Sequence, residues 1–197
     1  MKVVLVFVST LDGKVTKWGN PHVKEWSSLE DQDYYKKIWD EARLIVMGGN
    51  TFDAEHFPTS SNRLLVVMTK HFTKYKKLEI SGQLEFTDQS TTALTEKLRK
   101  KGYETMVVVG GPHIATSFLK ENLINEVWLT IEPKIFGTQG NFVIEENLDI
   151  DLRLMSCEKV NERGTLITKY AVIKAIDRKS TRLNSSHERL SRMPSSA

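Results

Sequence analysis

The chain has 197 residues, 40% of them hydrophobic and 27% charged, which fits one globular domain of ordinary size. Its single cysteine, Cys157, excludes an internal disulfide framework and any cysteine-cluster metal site. The net charge of +3 resides in residues 177–197, where Arg178, Lys179, Arg182, Arg189 and Arg192 outnumber Asp177 and Glu188; residues 1–176 are formally neutral, so no partnership with nucleic acid or a membrane surface is expected.

Residues 3–8 form a continuous apolar, β-branched run and predict a buried strand. The run is too short for a signal or membrane segment. With the polar N-terminus and the lone cysteine, this favours the cytoplasm. "STLDGKV" breaks the run with an Asp-Gly turn at Asp12 and Gly13. Residues 17–26, with Gly19, Asn20 and Pro21, read as loop. "SSLEDQDYYKKIWDEAR" places serine before an acidic first turn, with apolar residues at Leu29, Tyr34, Tyr35, Ile38, Trp39 and Ala42. That pattern predicts a capped amphipathic helix of roughly three to four turns. Glu30, Asp31 and Asp33 read as its solvated, dipole-compensating residues.

Residues 44–47 predict the next buried strand, ending in Gly48-Gly49, and residues 64–68 another, followed by a basic loop over 70–77. A short strand is expected over 84–86 and a helix over 91–101, ended by Gly102. Residues 106–109 predict a strand running into Gly110-Gly111-Pro112, then a helix over about 114–121 and a strand over 126–131. Residues 152–160 and 166–173 alternate around "NERG", a hairpin signal. The whole is α/β: a largely parallel twisted sheet with an antiparallel edge, helices on its faces and ligands expected beyond the C-terminal strand ends.

Three glycine-bearing turns fall at such ends, and their convergence on one cleft is the main functional expectation. Glycine lets a backbone approach a ligand closely, and proline suits a first helical position. Gly110, Gly111 and Pro112 thus present a helix N-terminus that either cradles a phosphate or is simply a tight turn. "MGGNTFD" repeats the device, with Asn50 and Thr51 as phosphate donors or as caps. The Asp12–Lys14 turn reads, on its own, as a turn with a solvated lysine. The five histidines show no metal-ligand spacing, and no metal site is expected.

"VFVSTLDGKV", "EWSSLEDQDYYKKIWDEARLIVMGGNTF", "NRLLVVMT" and "VVVGGPHIATSFLKENLINEVWLTIEPKIFG" together resemble the dihydrofolate reductase-like superfamily. The strongest likeness is to the reductase domain of bacterial bifunctional riboflavin deaminase–reductases, over about residues 2–173. The resemblance implies a three-layer fold and an NADPH-dependent, homodimeric oxidoreductase. Its small-molecule substrate would be a ribosylated aminopyrimidine or a related pterin, and a non-catalytic NADPH-binding domain is the rival reading. It implies that Gly110, Gly111, Pro112, His113 and Ile114 hold the pyrophosphate, that Gly49, Asn50 and Thr51 form a second cofactor turn, and that Trp26 contacts the cofactor. Asp12 and Lys14 would stand beside nicotinamide and substrate as the catalytic pair. Val109 occupies the position of a substrate-binding glutamate in the riboflavin-pathway members, and Arg63 is the only arginine near their ribose-phosphate segment; in the dihydrofolate reductases themselves a carboxylate on the first helix binds the pterin, and Asp31 and Asp33 lie near that position without matching it cleanly.

The expected domain is 1–176. Residues 177–197 lack any apolar period, so they predict a disordered tail. Their "DRKSTRLNSSH" and "SRMPSSA" resemble an in-frame translation of a sequencing-library adapter, and the natural sequence is expected to depart at about Ile176. Resequencing the source locus tests this, since an authentic codon run there would contradict it.

Overall fold

Runs of β-branched residues alternate with capped amphipathic segments, and in a computed structural model they assemble into one eight-stranded mixed sheet. The structure describes residues 1–174 except His56. The strands are β1 (Lys2–Thr10), β2 (Leu44–Gly48), β3 (Leu64–Met68), β4 (Leu84–Thr87), β5 (Thr105–Val108), β6 (Glu126–Glu132), β7 (Leu152–Lys159) and β8 (Leu166–Val172), in spatial order 4-3-2-5-1-6-8-7. Strands β4, β3, β2, β5, β1 and β6 pair in parallel, while β8 and β7 add the antiparallel edge. The expected fold class is therefore the observed one.

Because successive strand residues point to opposite faces, each buried run feeds two cores. Val3, Leu5, Leu44, Val46, Leu64 and Val66 face Leu94 and Leu98 of α4 (Thr91–Lys100) and Phe118 of α5 (Pro112–Lys120). Val4, Val6, Ile45, Met47, Leu65 and Val67 face Ile38 and Trp39 of α1 (Leu29–Glu41) and Tyr75 of α3 (Phe72–Tyr75). Helices thus cover both faces. The serine expected to cap α1 is Ser28, whose Oγ accepts from Asp31 N, and Ser90 caps α4 in the same way. No helix among the described residues is long and apolar enough to cross a membrane.

Two elements were not anticipated. The sequence after β2 folds at once into α2 (Gly49–Ala54), and the basic loop after β3 contains α3. Both are short and owe their place to tertiary packing: Phe52 stands edge-on to Tyr75 and Phe86, and Tyr75 stacks on Phe86 at 4.9 Å. The expected tail over 177–197 lies outside the described residues.

Candidate active site

Strand β5 inserts between β1 and β2, which sets the glycine turns after β2 and β5 side by side at the C-terminal edge of the sheet. Gly48 N donates to Gly110 O at 2.9 Å, and Val109 N to Val46 O at 3.0 Å. The turns leave little room for side chains. A β-carbon on Gly48 would stand 3.0 Å from Ile114 Cγ1, and one on Gly111 would stand 3.2 Å from Thr51 Oγ1. Gly110 adopts φ +110°, which favours glycine, and the Gly110–Gly111 peptide is cis. Gly111 is the N-cap of α5 and Pro112 opens its first turn, as read from the sequence.

These turns line one wall of an open cleft of about 1310 Å³. Gly49, Asn50, Thr51, Gly110, Gly111, Pro112, His113 and Ile114 all border it, and Val109 lies among them. His113 is largely exposed, with Nδ1 3.6 Å from Glu145 Oε2. The ends of β3 and β4 extend the wall through Thr69, Lys70 and Asp88. The N-cap Gly111 offers no side-chain bond to the amides that open α5, which leaves those donors directed at the cleft's glycine turns.

The remaining sequence-selected residues lie elsewhere. Asp12, Lys14 and Trp26 do not border this cleft. Asp12 accepts from Thr10 Oγ1, from Phe136 N at 3.1 Å and from Gly137 N at 2.8 Å; these bonds, the Thr10 hydroxyl first, hold its carboxyl below the usual range. Lys14 is not solvated. It is 2% exposed, its Nζ donates to Gly140 O at 3.2 Å and it stands 3.3 Å over the Phe142 ring. Both residues fasten the 10–18 segment to the 134–143 segment, with Val15 N to Asn141 O and Trp18 Nε1 to Phe136 O completing the join. Trp26 is buried edge-on against Phe136 at 5.2 Å, and its Nε1 finds no partner among the described residues. Arg63 is likewise committed: it donates to Trp39 O at 2.7 Å and Pro58 O at 3.2 Å, and stacks over Trp39.

The cleft is also bordered by a residue whose surroundings differ from the solvated ones expected of it. Asp31 is 5% exposed rather than solvated, and it borders the cleft. Burial pushes its carboxyl up to about 6; the Thr130 and Ser27 hydroxyls oppose the shift and the Glu132 charge adds to it. Tyr34, one turn on, also borders the cleft, and its buried Oη has no hydrogen-bond partner among the described residues. The signal was available: Asp31, Tyr34, Tyr35 and Ile38 recur at helical spacing, so Asp31 shares the inward stripe, whereas Glu30 and Asp33 are exposed. The cleft therefore pairs a glycine-lined, donor-rich wall with a wall that carries one buried carboxyl able to hold a proton near neutral pH.

The family model of the RibD C-terminal domain matches residues 1–166. An uncharacterized protein of Bacillus subtilis, YyaP, is 21% identical over 165 residues, covering 79% of this chain and 87% of its own. A pyrimidine reductase-like protein from Corynebacterium diphtheriae superposes with TM-score 0.73 at 14% identity, over 88% of this chain and 92% of that one. The Thermotoga maritima diaminohydroxyphosphoribosylaminopyrimidine deaminase/5-amino-6-(5-phosphoribosylamino)uracil reductase gives 0.70 at 15% identity, over 87% of this chain and 56% of that one. The chain belongs to the RibD C-terminal domain family and has its dihydrofolate reductase-like fold.

Proposed function

We propose that this protein is an NADPH-dependent reductase acting on a small substrate built on an aminopyrimidine ring. The observation that carries the reading is the meeting, in one cleft, of a two-turn glycine cradle and the buried Asp31. The cradle suits a pyrophosphate: Gly110 and Gly111 leave room at the backbone, and the uncapped start of α5 offers amide donors and a partial positive charge. Asn50 and Thr51 flank it from α2. When bound there, a reduced nicotinamide dinucleotide supplies hydride.

The chain's own residues would do the rest. The two walls hold donor and acceptor in contact, which removes the entropic cost of their encounter. Asp31, protonated below about pH 6, would give its proton to the substrate nitrogen of a carbon–nitrogen double bond as the carbon receives hydride. The substrate gains two electrons and two hydrogens in all, the nicotinamide is oxidised, and Asp31 takes a proton back from water. Tyr34 Oη, with no partner among the described residues, would be a further donor to a substrate in the same cleft.

Family membership favours a ribosylaminopyrimidine, reduced at the ribosyl carbon after ring opening. A second reading, reduction of a pteridine, is favoured by Asp31 itself, whose carboxyl faces the cleft where an amino-substituted ring edge could bond to it. It is also favoured by Arg63, whose guanidinium is committed to Trp39 O and Pro58 O rather than free for a ribose phosphate. Loss of NADPH absorbance, followed across a panel of ribosylaminopyrimidines and pterins, tests the proposal. Oxidation dependent on one of these substrates, and lost in Asp31→Asn, is expected. NADPH binding without oxidation across the panel would contradict it and favour a non-catalytic dinucleotide-binding domain.

A further inference from the structure

Glu132 plays no part in the reading above, yet it is 2% exposed. It lies on β6 two residues after Thr130, so the two side chains leave the same face of the strand. Its Oε1 accepts from Ser28 N at 2.7 Å and its Oε2 from Thr165 Oγ1 at 2.9 Å. Thr165 is fully buried, and Asn161 Nδ2 reaches both Thr165 Oγ1 at 2.9 Å and Glu30 Oε2 at 3.0 Å. Among the described residues, no lysine, arginine or histidine nitrogen lies within ion-pair distance of Glu132.

A buried carboxylate held by two hydrogen bonds and no cation is a costly way to make an anchor. Accepting from Ser28 N needs only a carbonyl oxygen, which glutamine also carries. What glutamate adds is charge, and the nearby group that feels it is Asp31. Ser28 joins the two residues: its N–H goes to the Glu132 carboxyl, and its Oγ accepts from the backbone N–H of Asp31 at 3.3 Å. The other ionisable groups around Asp31 are Tyr34 and Tyr35 of α1; Lys169 of β8 stands 6.0 Å from the Tyr34 ring, and Glu55 and Arg63 act on Tyr35. Among the described residues no cation lies within ion-pair distance of Asp31 to offset Glu132.

We propose that Glu132 is a positioning residue of the reductase site: accepting from Ser28 N and Thr165 Oγ1, it fixes the α1 N-terminus that carries Asp31 and sets a second buried acidic side chain beside it. This rests on the proton-donor role given to Asp31 above. Like charges placed close together divide their roles, one holding the proton that the other excludes.

The test reads Asp31 in the ligand-free full chain, by infrared titration of its carboxyl band, identified as the band lost in Asp31→Asn. In Glu132→Gln, which keeps an acceptor for Ser28 N, the Asp31 midpoint falls below that of wild type, while burial still holds it above the ordinary carboxylate range. Glu132→Asp retains the charge and restores the raised midpoint even where its shorter reach lowers the melting temperature. A Glu132→Gln midpoint equal to wild type overturns the proposal. Should Glu132→Gln fail to fold, Glu132→Met takes its place: a midpoint equal to wild type overturns the proposal, and a lower one supports it. Neither dinucleotide nor substrate is needed, so failure of the reductase reading shows separately, as absent turnover beside an intact Asp31–Glu132 coupling.

Discussion

Replacing Asp31 by asparagine removes an ionisable group from the buried face of α1 while keeping its shape. The carboxyl titrates at about 6 in the folded chain against an ordinary value of 3.8, a difference of about two units. At 1.36 kcal/mol per unit this is about 3 kcal/mol. The sign follows from proton counting. Between about pH 4 and pH 6 the unfolded chain has released this proton and the folded chain still holds it, so Asp31 lowers stability progressively as pH rises through that window. Above about pH 6 the deficit is complete, and below about pH 4 it vanishes. Asp31→Asn should therefore be more stable than wild type by about 3 kcal/mol at pH 8. For a domain of this size that is about 6–12 °C in Tm, shrinking to under about 1 kcal/mol at pH 4. Urea denaturation of both proteins at several pH values measures it. A pH-independent difference, or a variant less stable at pH 8, would refute the reasoning. The same variant should lose about 10²- to 10⁴-fold in reductase turnover, as expected for removal of a general acid. Stability gained together with activity lost would mark Asp31 as a residue held at a folding cost for its chemistry.

Two further perturbations examine the segment join beside the cleft. A β-carbon at Gly140 would stand 2.3 Å from Thr16 O, at φ +97°, so Gly140→Ala should part the 134–143 segment from the 10–18 segment and cost about 1–3 kcal/mol. Gly82→Ala, at φ +70° with nothing within 4 Å of the new carbon, carries only the backbone strain; equal Tm losses for the two variants would contradict the packing account. Asp12→Ala removes the acceptor for Phe136 N and Gly137 N, and hydrogen exchange at those two amides should accelerate. Because the Asp12 carboxyl lies below its usual range, the protection it gives is present above about pH 4 and fades as pH falls through the depressed folded value. Unchanged exchange at neutral pH would show that the carboxylate is not what holds the loop.

Much of the fold was legible because its signals are local. The β-branched runs at β1, β2, β3 and β5, the Ser28 and Ser90 caps and Pro112 at the start of α5 each carry their meaning within a few residues. Helices α2 and α3 were not legible, since a single turn is held by the Phe52, Tyr75 and Phe86 contacts, which only the folded sheet brings together. The site divided in the same way. The glycine turns after β2 and β5 were visible, and their convergence followed from parallel α/β topology. The surroundings of Asp12 and Lys14 were not, because the segment that covers them lies more than 120 residues away. Asp31 stood in plain view on an inward stripe, and was misread because an acidic first turn ordinarily means a solvated one.

The central claim is that the glycine-lined wall holds a dinucleotide. Isothermal titration of NADPH into the wild-type chain and into Gly111→Val tests it most directly, because a side chain there meets Thr51 Oγ1 at the mouth of the cradle. Saturable binding to wild type, weakened at least about tenfold in a folded Gly111→Val protein, is the predicted result. No binding to wild type, or equal affinity in both proteins, would contradict the account.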